Sequence, residues 1–208
     1  VRRRKLIQDF FRDPERLRKN VAGLEKLASA PRFIRRAVTK RGTKNQQKHH
    51  FGQVVPIEEI EQILGFVNSI VRVTCICRHI TVGSEQRYCY GISMGPNGGE
   101  ILQLIRDLDA SYLVGPETKG LESLSKSETL KAMRDHEREG LCHTVWTFET
   151  PFIGGICNCD RSDCLAMKST VTFQVPVMFR AECVASLHPD LCNGCRQCMH
   201  VCQFGAMG

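Results

Sequence analysis

The chain has no run of about 18 apolar residues, so no segment reads as a membrane-crossing helix. Its basic N-terminal stretch is not followed by an apolar core, which speaks against a secretory signal peptide. No Ser/His/Asp arrangement, phosphate loop or Gly-rich dinucleotide fingerprint appears, and Gly95-Pro-Asn-Gly-Gly99 carries no Lys. Aromatics are scarce at 7%, with one Trp and three Tyr. The basic stretches therefore have few rings on which nucleic-acid bases would stack, and nucleic acid ranks as a distant third partner. Internal repeats and low-complexity tracts are also missing.

Cysteine is abundant, twelve in 208 residues. The tight spacings are Cys75/Cys77, Cys157/Cys159, Cys192/Cys195, Cys195/Cys198 and Cys198/Cys202. Such close pairs bridge to each other with difficulty but present thiolates to a shared metal. Without an export signal they read as reduced thiolates in the cytoplasm of an anaerobe. Apolar residues make up 42% of the chain, enough to build a core.

The net charge of +7 belongs to one end. Residues 1–50 hold 16 Lys/Arg against 4 Asp/Glu, and the rest hold 13 against 18. The basic residues, with Leu6, Ile7, Phe10 and Phe11 among them, suit an acidic protein partner first and a membrane surface second.

The periodicities predict an α+β protein with three parts: a basic helical arm over 1–50, a central mixed α/β domain over 51–172 and a cysteine-loop segment over 173–208. Asp13-Pro-Glu15 predicts a helix start, and Pro31 a stop. Arg41 to His50 has no periodicity and reads as a loop. Pro56 opens a helix whose stripe is Ile57, Ile60, Ile63, Leu64 and Val67. Val71–Cys77, Arg87–Ser93 and Leu141–Phe148 read as strands, and Val175–Ala185 as β-like. Gly95–Gly99 reads as a turn, and Ile101 to Leu108 as a short helix. Ser125 and Glu128 fit a capping box, with Gly140 ending that helix.

The most specific motif is Cys192-Asn-Gly-Cys195-Arg-Gln-Cys198-Met-His-Val-Cys202. Zinc sites usually use two separated Cys pairs. Three consecutive close spacings instead wrap an iron–sulfur cubane. Gly194 allows the tight turn, and Arg196 offsets part of the anionic charge. Residues 183–206 resemble the bacterial [4Fe–4S] ferredoxins. The resemblance implies a ferredoxin-like segment with Cys192, Cys195, Cys198 and Cys202 as cofactor-binding residues. Gln203 departs from the family, which usually has Pro there, while Gly205 and Ala206 match its following turn. In two-cluster ferredoxins the fourth Cys of the run serves the other cluster. Cys202 either closes a lone cluster, or a remote Cys such as Cys183 supplies a ligand, or a C-terminal portion lies beyond the sequence shown. The abrupt end favours the last.

Cys75-Ile-Cys77-Arg78 closes a predicted strand, and Cys157-Asn-Cys159 follows Gly154-Gly155. The two pairs are candidates for a second metal site with ligands Cys75, Cys77, Cys157 and Cys159, and Cys89 and Cys164 in reserve. The bland reading is that buried free Cys acts as a small hydrophobe. The middle region also resembles a module that precedes ferredoxin domains in some anaerobic iron–sulfur proteins. They share a Cys-x-Cys-Arg segment, a Gly-Leu-x-His segment (Gly140 to His143) and an Ile-Cys-Asn-Cys segment (Ile156 to Cys159). The resemblance implies a cofactor-associated role. His136 reads as an inward, hydrogen-bonded core histidine, and His143 is the better candidate ligand of the two.

These readings lead to an electron-transfer protein or subunit that passes single electrons to redox partner proteins within a larger system. One confident [4Fe–4S] cluster and a second candidate are expected. The alternatives are a reductase whose central domain binds a catalytic metal or cofactor fed by the C-terminal cluster, and a zinc or redox-sensing regulatory module.

Overall fold

The computed structural model describes residues 2–84, 86–95, 107, 121–149 and 152–206. The predicted turn at Gly95–Gly99 and helix at 101–108 lie almost wholly outside them.

The N-terminal arm is helical throughout: α1 (Arg2–Arg12), α2 (Pro14–Ala28) and α3 (Arg32–His49). Asp13 caps α2 by accepting from the Arg16 backbone N–H at 2.9 Å, and Pro14 supplies the first-turn φ. The loop expected over Arg41 to His50 is instead the second half of α3. Its Lys and Gln residues are good helix formers. The missing apolar period meant only that no face is covered, and α3 has no buried residue.

The arm is not wholly detached. Ile7 (1% exposed) and Phe11 (7%) pack against Val71, Val73, Ile76 and Phe148. Two of the apolar side chains expected to face a membrane or partner are thus buried in the protein's own core.

A seven-stranded sheet forms the centre: β1 (Gly52–Val54), β2 (Ser69–Val73), β3 (Cys89–Ser93), β4 (Glu122–Leu124), β5 (Cys142–Thr147), β6 (Ile153–Cys159) and β7 (Met178–Phe179). Their order is β4-β2-β3-β6-β5-β1-β7, antiparallel except for β1 with β7. Only two residues of the β-like stretch 175–185 pair. Pro176, which has no N–H to give a ladder, stands two residues before them.

Alternation sorts the sheet into two faces. On one, Ile70, Tyr90, Ile92, Val145 and Ile156 join Ile60 and Leu64 of α4 (Ile57–Phe66) and Met133 of α6 (Lys126–Arg138). The Ser125–Glu128 capping box starts α6, and Gly140, at φ 80°, follows its end. The opposite face carries Cys89, Gly91, Gly155, Cys157 and Cys159. It lies under α1, α5 (Ile76–Val82) and α7 (Leu165–Met167).

The strand expected over Val71–Cys77 stops at Val73. Cys75 becomes the N-cap of α5, and Gly83, at φ 78°, ends that helix. The helix is fixed by tertiary partners: Ile76 is buried, and Arg78 reaches Asp160 across the chain. Cys77 therefore lies in a helix rather than in a strand.

Candidate metal centre

At the C-terminus, a single 3-10 turn (Pro189–Leu191) leads into the cysteine loop, and the short helix α8 (Gln197–Val201) lies within it and carries Cys198. Gly194 at φ 71° and Arg196 at φ 61° are both left-handed. Turns of this kind aim successive backbone N–H groups to one side and form a concavity suited to an anion. Asn193 Oδ1 holds the loop by accepting from Cys195 N at 3.1 Å. Ala206 N donates to Cys202 Sγ at 3.3 Å, the kind of N–H···S bond that tunes a cluster ligand. Cys192, Cys195 and Cys198 are exposed, and Cys202 is half-buried. None of the twelve cysteines is in a disulfide, Cys183 included. A soft, turn-mounted donor set of this kind fits a [4Fe–4S] cluster.

Gln203, the residue that departs from the ferredoxin pattern, joins this loop to the central sheet. Its Nε2 donates to Gly140 O at 2.5 Å and to Cys159 O at 3.3 Å. Arg161 N donates to Gln203 Oε1 at 2.6 Å, and Arg161 Nη1 to Gln203 O at 3.2 Å. Proline could make none of the side-chain contacts. Cys142 pairs with Cys159 across β5 and β6. Burial, and after it the neighbouring Cys202, raise the Cys142 thiol above its ordinary pKa.

The internal cysteines also converge. Cys75, Cys77, Cys89, Cys157, Cys159 and Cys164 all line one cavity of about 190 Å³. Cys89 and Cys157 face each other across β3 and β6. Gly91 and Gly155, the next pair on that face, also border the cavity and have no side chain to fill it. Ile7 and Phe11 of α1 close it from above.

Two trios of thiols can be traced. Cys89 lies opposite Cys157 across the sheet and beside Cys75. Cys164 hydrogen-bonds with Cys159, their sulfurs 3.2 Å apart, and with Cys77. The bonds from Cys159 and Cys77 pull Cys164 well below an ordinary thiol pKa. Their own values are raised, first by that same hydrogen bond and then by burial. Cys75 is raised chiefly by burial. The Cys75 sulfur also accepts from Tyr88 N at 2.9 Å and lies 3.9 Å from Arg78 Nη1.

The three short segments of the central module meet at Asn158, which is fully buried. Arg78 Nη1 donates to its carbonyl at 3.1 Å, and its Nδ2 donates to Tyr88 O at 2.9 Å. His143 Nδ1 bonds its Oδ1 at 2.7 Å. Arg78, 3% exposed, also pairs with Asp160 and lies over the Tyr88 ring at 4.1 Å. His136 is buried as expected, bonded through Nε2 to the Tyr90 hydroxyl at 2.9 Å, and burial lowers its pKa.

Sequence reasoning proposed Cys75, Cys77, Cys157 and Cys159 with Cys89 and Cys164 in reserve, and the fold places all six around one space. It missed the roles of Cys142, Asn158 and Gln203. The only available signal for Gln203 was its departure from a family pattern. Among the described residues, no three His, Cys, Asp or Glu side chains are grouped to hold a single metal ion.

The family of 4Fe–4S binding domains matches residues 185–207. That match indicates a [4Fe–4S] cluster in the C-terminal loop and, in general terms, an iron–sulfur electron-transfer role with redox partners. No curated protein and no solved structure matches the chain. The C-terminal segment is therefore similar to the 4Fe–4S binding domains over residues 185–207.

Proposed function

We propose that this protein carries single electrons within a larger redox system, with Cys192, Cys195, Cys198 and Cys202 as the cluster ligands. The cysteine loop carries the reading: four thiols in one short segment, with left-handed turns at Gly194 and Arg196 and an N–H···S bond at Cys202. The bound cluster supplies one-electron redox chemistry, and its ligands stay in place as the charge changes. The chain's own groups fix the loop's shape and offset its charge. Exposed Leu191, Val201 and Phe204 border the loop and offer apolar contact to a redox partner. The basic faces of α2 and α3 suit an acidic region of such a partner.

The test is a potentiometric titration of anaerobically purified protein, followed by electron paramagnetic resonance. A one-electron transition in the wild type that disappears in Cys195→Ser/Cys198→Ser supports the assignment. Unchanged signals in that variant would overturn it.

The cavity favours a second reading, a reductase with a metal or cofactor in the central domain. Substrate-dependent reoxidation of the reduced protein, lost when cavity cysteines are replaced, would establish that reading.

A further inference from the structure

Six buried or half-buried thiols line a cavity of about 190 Å³. Close packing does not account for this. A core built from small hydrophobes closes onto itself and leaves few voids. Here Gly91 and Gly155 hold the space open from the sheet, and Ile7 and Phe11 cover it. An engineered cavity of roughly 150 Å³ takes a benzene ring, so there is room for a compact inorganic core.

The donor set limits the occupant. Thiolate sulfur selects iron–sulfur clusters, zinc or copper(I) over hard cations. A single zinc ion requires four ligands converging at about 2.3 Å each. The six thiols here are spread around the wall of one cavity rather than gathered at a point. A cluster differs in binding each thiolate at a separate iron, so its ligands stand apart around a volume. Hydrogen-bond donors already point at the wall: Tyr88 N at 2.9 Å and buried Arg78 Nη1 at 3.9 Å, both toward Cys75 Sγ. Hydrogen bonds to ligand sulfurs and a nearby cation are means by which proteins stabilise anionic clusters.

We infer that this cavity is a second iron–sulfur site, with ligands drawn from both thiol trios: Cys75, Cys89 and Cys157 on one side, Cys77, Cys159 and Cys164 on the other. Neither trio alone supplies the four thiolates that a cubane takes. The site adjoins the C-terminal loop, because Gln203, next to Cys202, donates to the Cys159 carbonyl at 3.3 Å. Electron exchange between the two sites rests on the electron-carrier reading of that loop, but the cavity site does not.

Iron and acid-labile sulfide per chain, measured on anaerobically purified full-length protein, separate the two. We expect about eight of each in the wild type and about four in both Cys195→Ser/Cys198→Ser and Cys159→Ser/Cys164→Ser. The reduced wild type should also show a spin-coupled resonance that neither variant retains. An iron-free Cys195→Ser/Cys198→Ser protein would overturn the cavity site, and this outcome does not depend on whether the cavity variant folds. Stoichiometric zinc or copper would overturn the cluster assignment. About four irons in the wild type, kept in the loop variant and lost in the cavity variant, would uphold the cavity and sink the C-terminal assignment instead.

Discussion

Gln203 donates its side-chain amide to the backbone carbonyl of Cys159, 3.3 Å away and 44 residues earlier in the chain. With the bond to Gly140 and the two from Arg161, it fastens the cysteine loop to the start of β5 and the end of β6, in the interior of the sheet. Gln203→Ala and Gln203→Pro should both keep the loop's iron, since neither touches a ligand. Both should loosen the segment. Losing hydrogen bonds worth about 1 kcal/mol net predicts an increase of roughly fivefold in amide exchange over residues 197–206. Unchanged exchange in both variants would show that the bonds hold nothing in place.

His50 provides a pH test. Its Nδ1 bonds Thr147 O at 2.7 Å, so that nitrogen carries the proton, and the ring stacks on Trp146 at 4.9 Å. Burial lowers its pKa to about 4 from 6.5, against the opposing effect of the Thr147 bond. Between those values the unfolded chain binds the proton and the folded chain does not. Stability is therefore full above pH 6.5 and falls as the pH drops toward 4, by at most roughly 1 kcal/mol per pH unit. Urea midpoints at pH 7 and pH 5 check this. His50→Gln should flatten the difference, and an identical pH dependence in the variant would refute it.

Gly52 is required by a neighbour. A Cβ there would lie 2.8 Å from two ring carbons of Trp146, its partner across β1 and β5. Trp146 is held in turn by its Nε1 bond to Thr144 Oγ1 at 2.9 Å. Gly52→Ala should destabilise the fold by about 1–3 kcal/mol, the usual range for overpacking. Because the chain has a single Trp, its fluorescence reports the displacement directly during denaturation. A wild-type spectrum and midpoint would mean that the ring yields without strain.

The parts legible from sequence were those governed by local chemistry. Asp13-Pro14, Ser125/Glu128 and Pro56 mark helix starts with side chains that act within one turn, and all three helices begin there. The spacing of Cys192 to Cys202 is likewise local, and the family match falls on it. What failed depended on distant partners. Val71–Cys77 alternates as a strand should, but Ile76 and Arg78 find their partners only in a helix. The apolar side chains of Ile7 and Phe11 were visible, but not the sheet that receives them. The cavity needs the register that sets Cys89 against Cys157, and no spacing along one chain encodes that pairing.

The buried pair Arg78–Asp160 carries the last prediction. Arg78 is nearly inaccessible, and Asp160 also accepts from Ser162 Oγ and from Asp163 N. Burial pushes the Asp160 carboxyl up, but those two bonds and the guanidinium outweigh it and hold its pKa below the ordinary 3.8. A lowered carboxyl pKa stabilises the fold above the unfolded value, and the contribution is lost as the pH falls through the folded one. Arg78→Met should cost about 3–5 kcal/mol, because it leaves a carboxylate partly buried without its cation. Arg78→Met/Asp160→Asn should recover much of that loss, and it should lose less stability than the wild type between pH 4 and pH 2. Chemical denaturation across that range measures both effects. A single variant as stable as the wild type would show that solvent, rather than Arg78, balances Asp160.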